Sequence, residues 1–575
     1  DFGPNVSIFD PTMPTAAIKA AVDAIARQQI DDEMGPRRYA LLFKPGTYGS
    51  AAEPLHLQLG YYMELAGLGA LPTDVTINGH VDVYNRCLTP NNCLALNNFW
   101  RALSNLTINV SGLDGCRGSG NFWAVSQAAP MRRVQVTGGK LILMDYCTAG
   151  PHYASGGFIA DSAVGPVTNG SQQQFLVRNS SIGEWSNGVW NQVFAGVQGA
   201  PADAFPKPPY TTLTTTPVSR EKPFLSVDAA LGYRVFVPAA RAASSGPTWR
   251  NGPTPGRSIP LPEFFVARPS DSVSAINAAL GEGKHLLFTP GVYDVDQSIT
   301  VTRPNTVVLG LGIATLTARG GVVPMRVADV RGVTISGLMI DAGPVESPVL
   351  LQVGTPRADG DTNDRARNAS DASDPTALHD VFFRIGGPHV GKATVSLEVN
   401  SDDVLIDHLW AWRADHGVPG SFGWNVNTAD TGVIVNGDHV TVTGLFVEHY
   451  QQHNVVWNGQ RGTTIFFQNE LPYDPPDQDA YRREGALGWA AYKVADRVTT
   501  HDVWGAASYV FFNVNPTIHA ARAFEVPTTP GVRMRHLLTV NLGAGTIDRV
   551  VNGTGDPVTS AAIGAPSNVV RYPGR

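Results

Sequence analysis

Along most of the chain, apolar and polar residues alternate rather than recur at helical spacing. Runs such as NLTINV, RRVQVTG, QQFLVRNSS, GVTISGLMID, DDVLIDHLWAW, DHVTVTGLFVEHY, TTIFFQNE and RVTTHDVWG set apolar residues on one face, and Gly, Asn and Asp punctuate them. A period of two predicts short strands. The cycle from run to run is often about 20 to 36 residues, and no run is followed by a convincing amphipathic helix, so repeated β-α-β units are not expected. The pattern fits a right-handed parallel β-helix, in which every coil adds short strands to long parallel sheets. A β-sandwich would show hairpin turns between close strands, and a propeller would repeat its blade signature many times.

Two segments have a helical period. In TAAIKAAVDAIARQQ, Ile18, Val22 and Ile25 share one face; in DSVSAINAAL, Asp271 or Ser272 is placed to cap the start. Each precedes a repeated signature, YALLFKPGTY at 39–48 and KHLLFTPGVY at 284–293. Pro45 and Pro290 are 245 residues apart, and Gly69 and Gly312 in the downstream AGLG and LGLG are 243 apart. One structural unit is therefore used twice. The expectation is an all-β protein of two tandem right-handed parallel β-helices lying side by side, each with a short helix capping its open first coil. Residues 1–200 form the N-terminal β-helix and 263–575 the C-terminal one. Between them, 201–262 is crowded with Pro and Gly. Its Phe224, Tyr233, Val235 and Val237 are apolar residues that a free linker would lack, so an ordered connector is expected, with a cleft between the rods.

Composition narrows the function classes. The 575 residues exceed what one core organises. A net charge of -7 with no basic run excludes a nucleic-acid footprint. No apolar stretch approaches the length of a membrane-spanning helix, so no membrane association is expected. The Gly-rich AGLG and LGLG sit at strand ends with no following helix, so they are not phosphate loops, and no cofactor is expected. Cys87, Cys93, Cys116 and Cys147 lack zinc spacing; a Cys87–Cys93 pair and buried free thiols both remain open. The opening DFGPNV, without a starting Met, is taken as that of a trimmed mature chain.

The candidate chemistry lies in FVEHYQQHNVVWNGQRGTTIFFQNELPYDPP. Glu448 and Glu470 each close an apolar run, 22 residues apart, one coil by this spacing. Neighbouring strands stack about 4.8 Å apart, so the two carboxylates should meet. Such a pair suits glycosidic cleavage, where one carboxyl protonates the departing oxygen and a second acts on water or on the sugar. Phe466, Phe467, Leu471 and Tyr473 favour a protonated Glu470, the general acid. Glu448, in the more polar VEHYQQHN, is expected to stay ionised and to orient or activate water. Indole rings stack on sugar faces and amides bind sugar hydroxyls; Trp457, Asn454, Trp123, Trp190 and Gln192 are the candidates for binding, with Gln127 and Gln173 as amides reaching the cleft. His449 and His453 are four residues apart in a strand-rich region and need not share a face, so no metal site is expected. Asn105, Asn179 and Asn400 are placed in turn ladders.

The strings NFWAVSQAAPMRRV, VWNQVFAGVQGAP, LLFKPGTYG, FVEHYQQHNVVWNG and FFQNELPYDPP closely resemble the exo-β-1,3-glucanases (laminarinases) of glycoside hydrolase family 55, especially bacterial secreted members. The resemblance spans nearly the whole chain. It implies an extracellular, monomeric enzyme that releases glucose from the non-reducing end of β-1,3-glucan with inversion. By the same resemblance Glu470 is the general acid, Tyr473 belongs to its motif, and Glu448 joins a water-side network with Gln127 and Gln173. Two alternatives fare worse. A lyase or polygalacturonase acting on uronic polymers needs basic residues for its polyanion, and only Arg461 lies near the glutamates. A glycan-binding module has no use for a glutamate in an apolar setting. One tension stands: inverting pairs are about 6.5–9.5 Å apart, wider than strand stacking alone provides.

Overall fold

The computed structural model describes residues 1–356 and 369–574. The chain divides into two compact units: Asp1–Arg268 with Leu287–Val292 and Leu309–Ala314, and Pro269–Leu286 with Tyr293–Val308 and Thr315–Arg575. Each is built from short strands stacked in parallel, coil upon coil.

In the first unit, strands Val6–Phe9, Tyr39–Phe43, Met63–Gly67, Arg101–Val110, Pro130–Thr137, Phe158–Ala160, Gln174–Arg178, Asn191–Ala195 and Tyr210–Leu213 pair in that order, every pair parallel. The helix Thr15–Gln29 buries Ile18, Val22 and Ala26 in the same core as Leu55, Leu57 and Val81, with Ile25 packed at its margin. That is the cap predicted from the apolar face. In the second unit the helix Val273–Gly281 is capped by Ser272, whose hydroxyl accepts from the Ala275 N–H at 3.1 Å.

The coils bend at a stacked column of residues with positive φ. In the first unit these are Asn105, Arg133, Asp161, Asn179 and Gly196, at φ 43–62°. Four are not glycine, and left-handed backbone costs an ordinary residue about 1–2 kcal/mol. Side-chain bonds offset that cost. Asn105 donates to the carbonyls of Gly67 and Gly69 at 3.0 and 2.8 Å. Arg133 donates to Asp161 at 3.1 Å and to the Thr254 hydroxyl at 2.8 Å.

The Pro/Gly-rich connector supplies much of this chemistry. It is ordered, with antiparallel strands at Phe224–Asp228, Gly232–Pro238 and Gly256–Pro260. Glu221 takes a bidentate pair of bonds from buried Arg178, both at 2.7 Å. Thr248 donates to Asp161 at 2.9 Å, the Trp249 indole donates to the Asp161 carbonyl at 2.7 Å, and Ser244 accepts from Asn179 at 2.9 Å. The connector thus packs along the bend column of the first unit. Asn105 and Asn179 occupy that column, as a turn ladder requires.

The second unit repeats the scheme with longer coils. Strands Thr334–Asp341, Ala377–Ile385, Leu405–Arg413, Thr441–Glu448, Gly462–Glu470, His501–Val510 and Val532–Asn541 form one parallel stack. The strand Ser567–Tyr572 closes it by pairing antiparallel with the last coil. A second sheet runs through Ser347–Val353, Ala393–Val399, Thr431–Val435, Val455–Trp457 and Tyr492–Val494. At its margin Asn458 donates to Asn436 and Asn436 to Asn400, both at 2.8 Å, an amide ladder from coil to coil.

All four cysteines pair, Cys87 with Cys93 and Cys116 with Cys147, which resolves the alternative left open by their spacing. Among the described residues no helix is long and apolar enough to cross a membrane.

Candidate active site

Register brings the two glutamates together. Strands Thr441–Glu448 and Gly462–Glu470 pair in parallel with Glu448 directly beside Glu470. The column extends to Trp412 on one side and Tyr509 on the other. Both strands end at their glutamate, so each carboxyl is held by a buried sheet rather than by a mobile loop. Directly after Glu448 the chain turns through His449, at φ 69°. Its N–H donates to the Glu470 carbonyl at 2.8 Å, and its own carbonyl accepts from Arg413 at 3.2 Å.

That turn folds the imidazole back over the pair. Nδ1 donates to the Leu471 carbonyl at 3.1 Å, since a carbonyl can only accept. Nε2 then faces three carboxylates: Asp415 at 3.5 Å, and Glu448 and Glu470 at 3.7 Å each. The Tyr473 hydroxyl donates to Glu470 Oε2, and the Tyr473 ring stands edge-on to His449 at 4.4 Å. Asp415 also accepts from the Trp412 indole at 3.1 Å and lies 3.3 Å from His416 Nδ1. Arg413 is fully engaged by Asp474, with bonds of 2.9 and 3.0 Å.

The two carboxyls differ in exposure. Glu448 is 3 % exposed, whereas the Glu470 side chain keeps 12 %. Burial raises the Glu448 carboxyl well above its ordinary range and the neighbouring Glu470 charge adds to this; the polar atoms of Gln468 and Trp410 act against it. Burial also raises Glu470, but His449 and the Tyr473 hydroxyl pull it back. Burial opposes ionisation of Asp415 as well, yet His416 and His449 outweigh it and hold Asp415 far below the usual carboxylate range. Burial thus opposes ionisation of both members of the pair. This runs against the ionised Glu448 expected from VEHYQQHN. The polar neighbours of Glu448 in sequence do not solvate it, because strand pairing removes its carboxyl from water.

The donor atoms of Glu448, His449 and Glu470 all lie within 4.8 Å of one another. Side-chain rotamers do not widen the gap toward the span of an inverting acid and base.

The other site residues expected from sequence divide sharply. Trp457 is wholly buried, stacked on Tyr492 and 4.6 Å from His501, so it is a core residue and not a sugar platform. Trp123 is likewise wholly buried in the core of the first unit. Asn454 is buried, and its carbonyl accepts from the Tyr450 N–H at 3.1 Å, which makes it a turn residue. Gln192 is buried and bonded to Asn169 at 2.9 Å. Trp190 is half-buried. The common cause is strand alternation, which sends every second side chain inward whatever its chemistry.

Gln127 donates to the Ser155 hydroxyl at 3.1 Å, and Gln174 donates to the same oxygen at 3.0 Å. Gln173 is half-buried, just before strand Gln174–Arg178. The half-buried aromatics of the second unit include Tyr473, 5.2 Å from Phe511, Trp424, 6.3 Å from the buried Tyr481, and Trp489, 5.1 Å from His453. His453 binds the Ala490 carbonyl, apart from His449.

Sequence reasoning missed Asp415 and Tyr509, and weighed His449 only as a metal ligand. Asp415 had one available signal: it follows WAWR, a strand ending one coil before Glu448.

Known proteins share this architecture. The model of the LAM55 pectate lyase-like domain matches residues 264–470. An exo-β-1,3-glucanase of Streptomyces sp. (strain SirexAA-E / ActE) is 51 % identical over 576 residues, spanning 100 % of this chain and 90 % of the relative. The solved structure of sacteLam55A from Streptomyces sp. SirexAA-E has 50 % identity and a TM-score of 0.92, covering 100 % of this chain and 99 % of that one. A glutamate-to-alanine variant of sacteLam55A in complex with glucose matches with the same TM-score of 0.92 over 100 % and 98 % of the two chains. With identity of this order along its entire length, the chain is a glycoside hydrolase and belongs to family 55, the family of the exo-β-1,3-glucanase it matches.

Proposed function

We propose that the enzyme hydrolyses β-1,3-glucan from the non-reducing end, releasing glucose with inversion at the anomeric carbon. Glu470 is the general acid. The observation that carries this reading is the Glu448–Glu470 pair on adjacent strands, one member almost fully enclosed and the other open to solvent and hydrogen bonded by Tyr473. Glu470 gives its proton to the glycosidic oxygen as the bond to the anomeric carbon breaks. The carboxylate that forms accepts the Tyr473 hydroxyl and faces His449, so its charge is stabilised where it appears. A water attacks the opposite face of the anomeric carbon as the bond breaks and passes its proton to solvent on that side, and Glu470 regains a proton from solvent before the next cycle; Glu448 tunes Glu470 and orients groups on the water side.

A retaining reading is favoured by one fact: the oxygens of the pair lie within 4.8 Å, closer to a nucleophile–acid pair than to an inverting one. Against it, Glu448 is enclosed and burial opposes its ionised form, whereas a nucleophile must be ionised and reachable. Proton NMR of the glucose released in the first minutes decides between them. The proposal expects α-glucose from the earliest time points; early β-glucose supports retention, and a ladder of long oligomers means endo cleavage. For the amides of the first unit, a water-holding role rests on family resemblance. That resemblance names Gln127 and Gln173; Gln127→Ala should lower kcat more than it raises KM, and an unchanged kcat removes the role. Secretion is part of the proposal, and two disulfides in a chain without free thiols support an oxidising destination.

A further inference from the structure

We propose that Glu448, His449 and Glu470 form a binding site for a zinc ion, whose occupation switches the enzyme off by taking the carboxyl that must carry the acid proton. The binding stands on the geometry alone; the loss of activity rests on the assignment of Glu470 as general acid.

Three donors already converge. A ring nitrogen of His449 and one oxygen from each glutamate lie within 4.8 Å of one another. This is no solvated acidic patch: Glu448 and His449 are 3 % and 2 % exposed, and the Glu470 side chain 12 %. Nε2 stands 3.7 Å from both Glu448 Oε2 and Glu470 Oε2. Tetrahedral zinc, with bonds of about 2.0–2.2 Å, places its ligand atoms about 3.3–3.6 Å apart. The edges from Nε2 are nearly of that length, and the edge between the glutamates has little more than about 1 Å to close. Asp415 Oδ1, 3.5 Å from Nε2, offers a fourth position. Calcium and magnesium take six or more oxygens, whereas an imidazole with two or three carboxylates suits zinc.

The groups behind the donors are those that a metal site needs. Nδ1 donates to the Leu471 carbonyl at 3.1 Å, so the neutral ring turns its lone pair at Nε2 toward the carboxylates. The turn at His449 is fixed by its N–H to the Glu470 carbonyl and by its carbonyl to Arg413, which preorganises that nitrogen. Glu470 Oε2 accepts the Tyr473 hydroxyl, and Asp415 Oδ1 accepts the Trp412 indole at 3.1 Å, the outer partners that orient a ligating carboxylate. Arg413 does not supply the cation in their place, because its guanidinium is bonded to Asp474 at 2.9 and 3.0 Å. The exposed edge of Glu470 gives an ion its entry. Binding releases any carboxyl proton at the site to solvent.

The test titrates the full-length enzyme, freed of metal with EDTA, with ZnCl2 by calorimetry and with CoCl2 by visible absorption. One zinc ion should bind per chain, cobalt should give the bands of a tetrahedral site, and zinc should bleach them. Laminarin turnover should fall with the same midpoint as zinc binding and return when EDTA is added; MgCl2 and CaCl2 should do neither. His449→Asn and Glu470→Gln should each weaken zinc binding by at least about tenfold, since loss of an outer partner alone costs that much. No stoichiometric zinc binding, or binding that both variants retain because the ion sits elsewhere on the chain, overturns the inference. Melting temperatures identify a variant that fails to fold, and the other then carries the test. Zinc binding that the variants lose, with laminarin turnover untouched, leaves the site standing and counts against Glu470 as the acid.

Discussion

Tyr473→Phe offers a measurable test of how Glu470 is held. The hydroxyl donates to Glu470 Oε2, while the ring packs edge-on against His449 at 4.4 Å and Phe511 at 5.2 Å. Phenylalanine keeps both ring contacts and removes one hydrogen bond. Before the reaction that bond joins two neutral groups, worth about 0.5–1.5 kcal/mol; after proton delivery it joins a phenol to a carboxylate, worth about 1.5–3 kcal/mol. The difference, about 1–2 kcal/mol, is realised only as the transition state forms. It corresponds to a loss of roughly 5- to 30-fold in kcat/KM. The Tyr473 bond also favours the ionised form of Glu470, so its removal raises that carboxyl and the alkaline limb should move to higher pH. The assay is glucose release from laminaritriose across a pH series, with 2,4-dinitrophenyl β-glucoside as the control. A variant with unchanged kcat/KM and an unmoved limb refutes the reasoning; so does an equal loss on both substrates.

Three further outcomes follow from the same structure. Glu448→Gln removes a carboxyl whose ionisation burial opposes, so the melting temperature should fall less than that of the wild type as the pH rises from about 4 to about 8; an equal fall would mean that burial does not penalise the Glu448 charge. Glu221→Ala strands the buried Arg178 guanidinium and should cost about 3–5 kcal/mol, seen by calorimetry as a lower melting temperature; an unchanged melting temperature would mean that the connector is not anchored through this pair. Opening Cys116–Cys147, which closes 31 residues, should cost about 3–4 kcal/mol, against about 2 for Cys87–Cys93, which closes 6; denaturant unfolding of the two double-serine variants ranks them, and equal costs would contradict the loop-entropy argument.

The fold was legible because period-two runs, the doubled PGTY/PGVY signature and the two capping helices are local features. The Glu448–Glu470 meeting was legible because 22 residues is one whole coil and parallel pairing converts that spacing into contact. What escaped was direction. Trp457, Trp123, Asn454 and Gln192 have sugar-binding chemistry but are buried. Alternation within a strand is visible in sequence, but which face meets the core is settled by neighbouring coils. The enclosure of Glu448 escaped for the same reason. Histidines and glutamines adjacent to Glu448 in the chain suggested solvation, while Trp412 and Glu470, 36 and 22 residues distant, enclose it.

Glu470→Gln on two substrates addresses the central assignment most directly. Laminarin turnover should fall by about 10²–10⁴-fold with binding preserved, while hydrolysis of 2,4-dinitrophenyl β-glucoside stays within roughly tenfold of the wild type, since only the first reaction needs the proton. Near-normal turnover of laminarin, or an equal collapse on both substrates, would contradict the account.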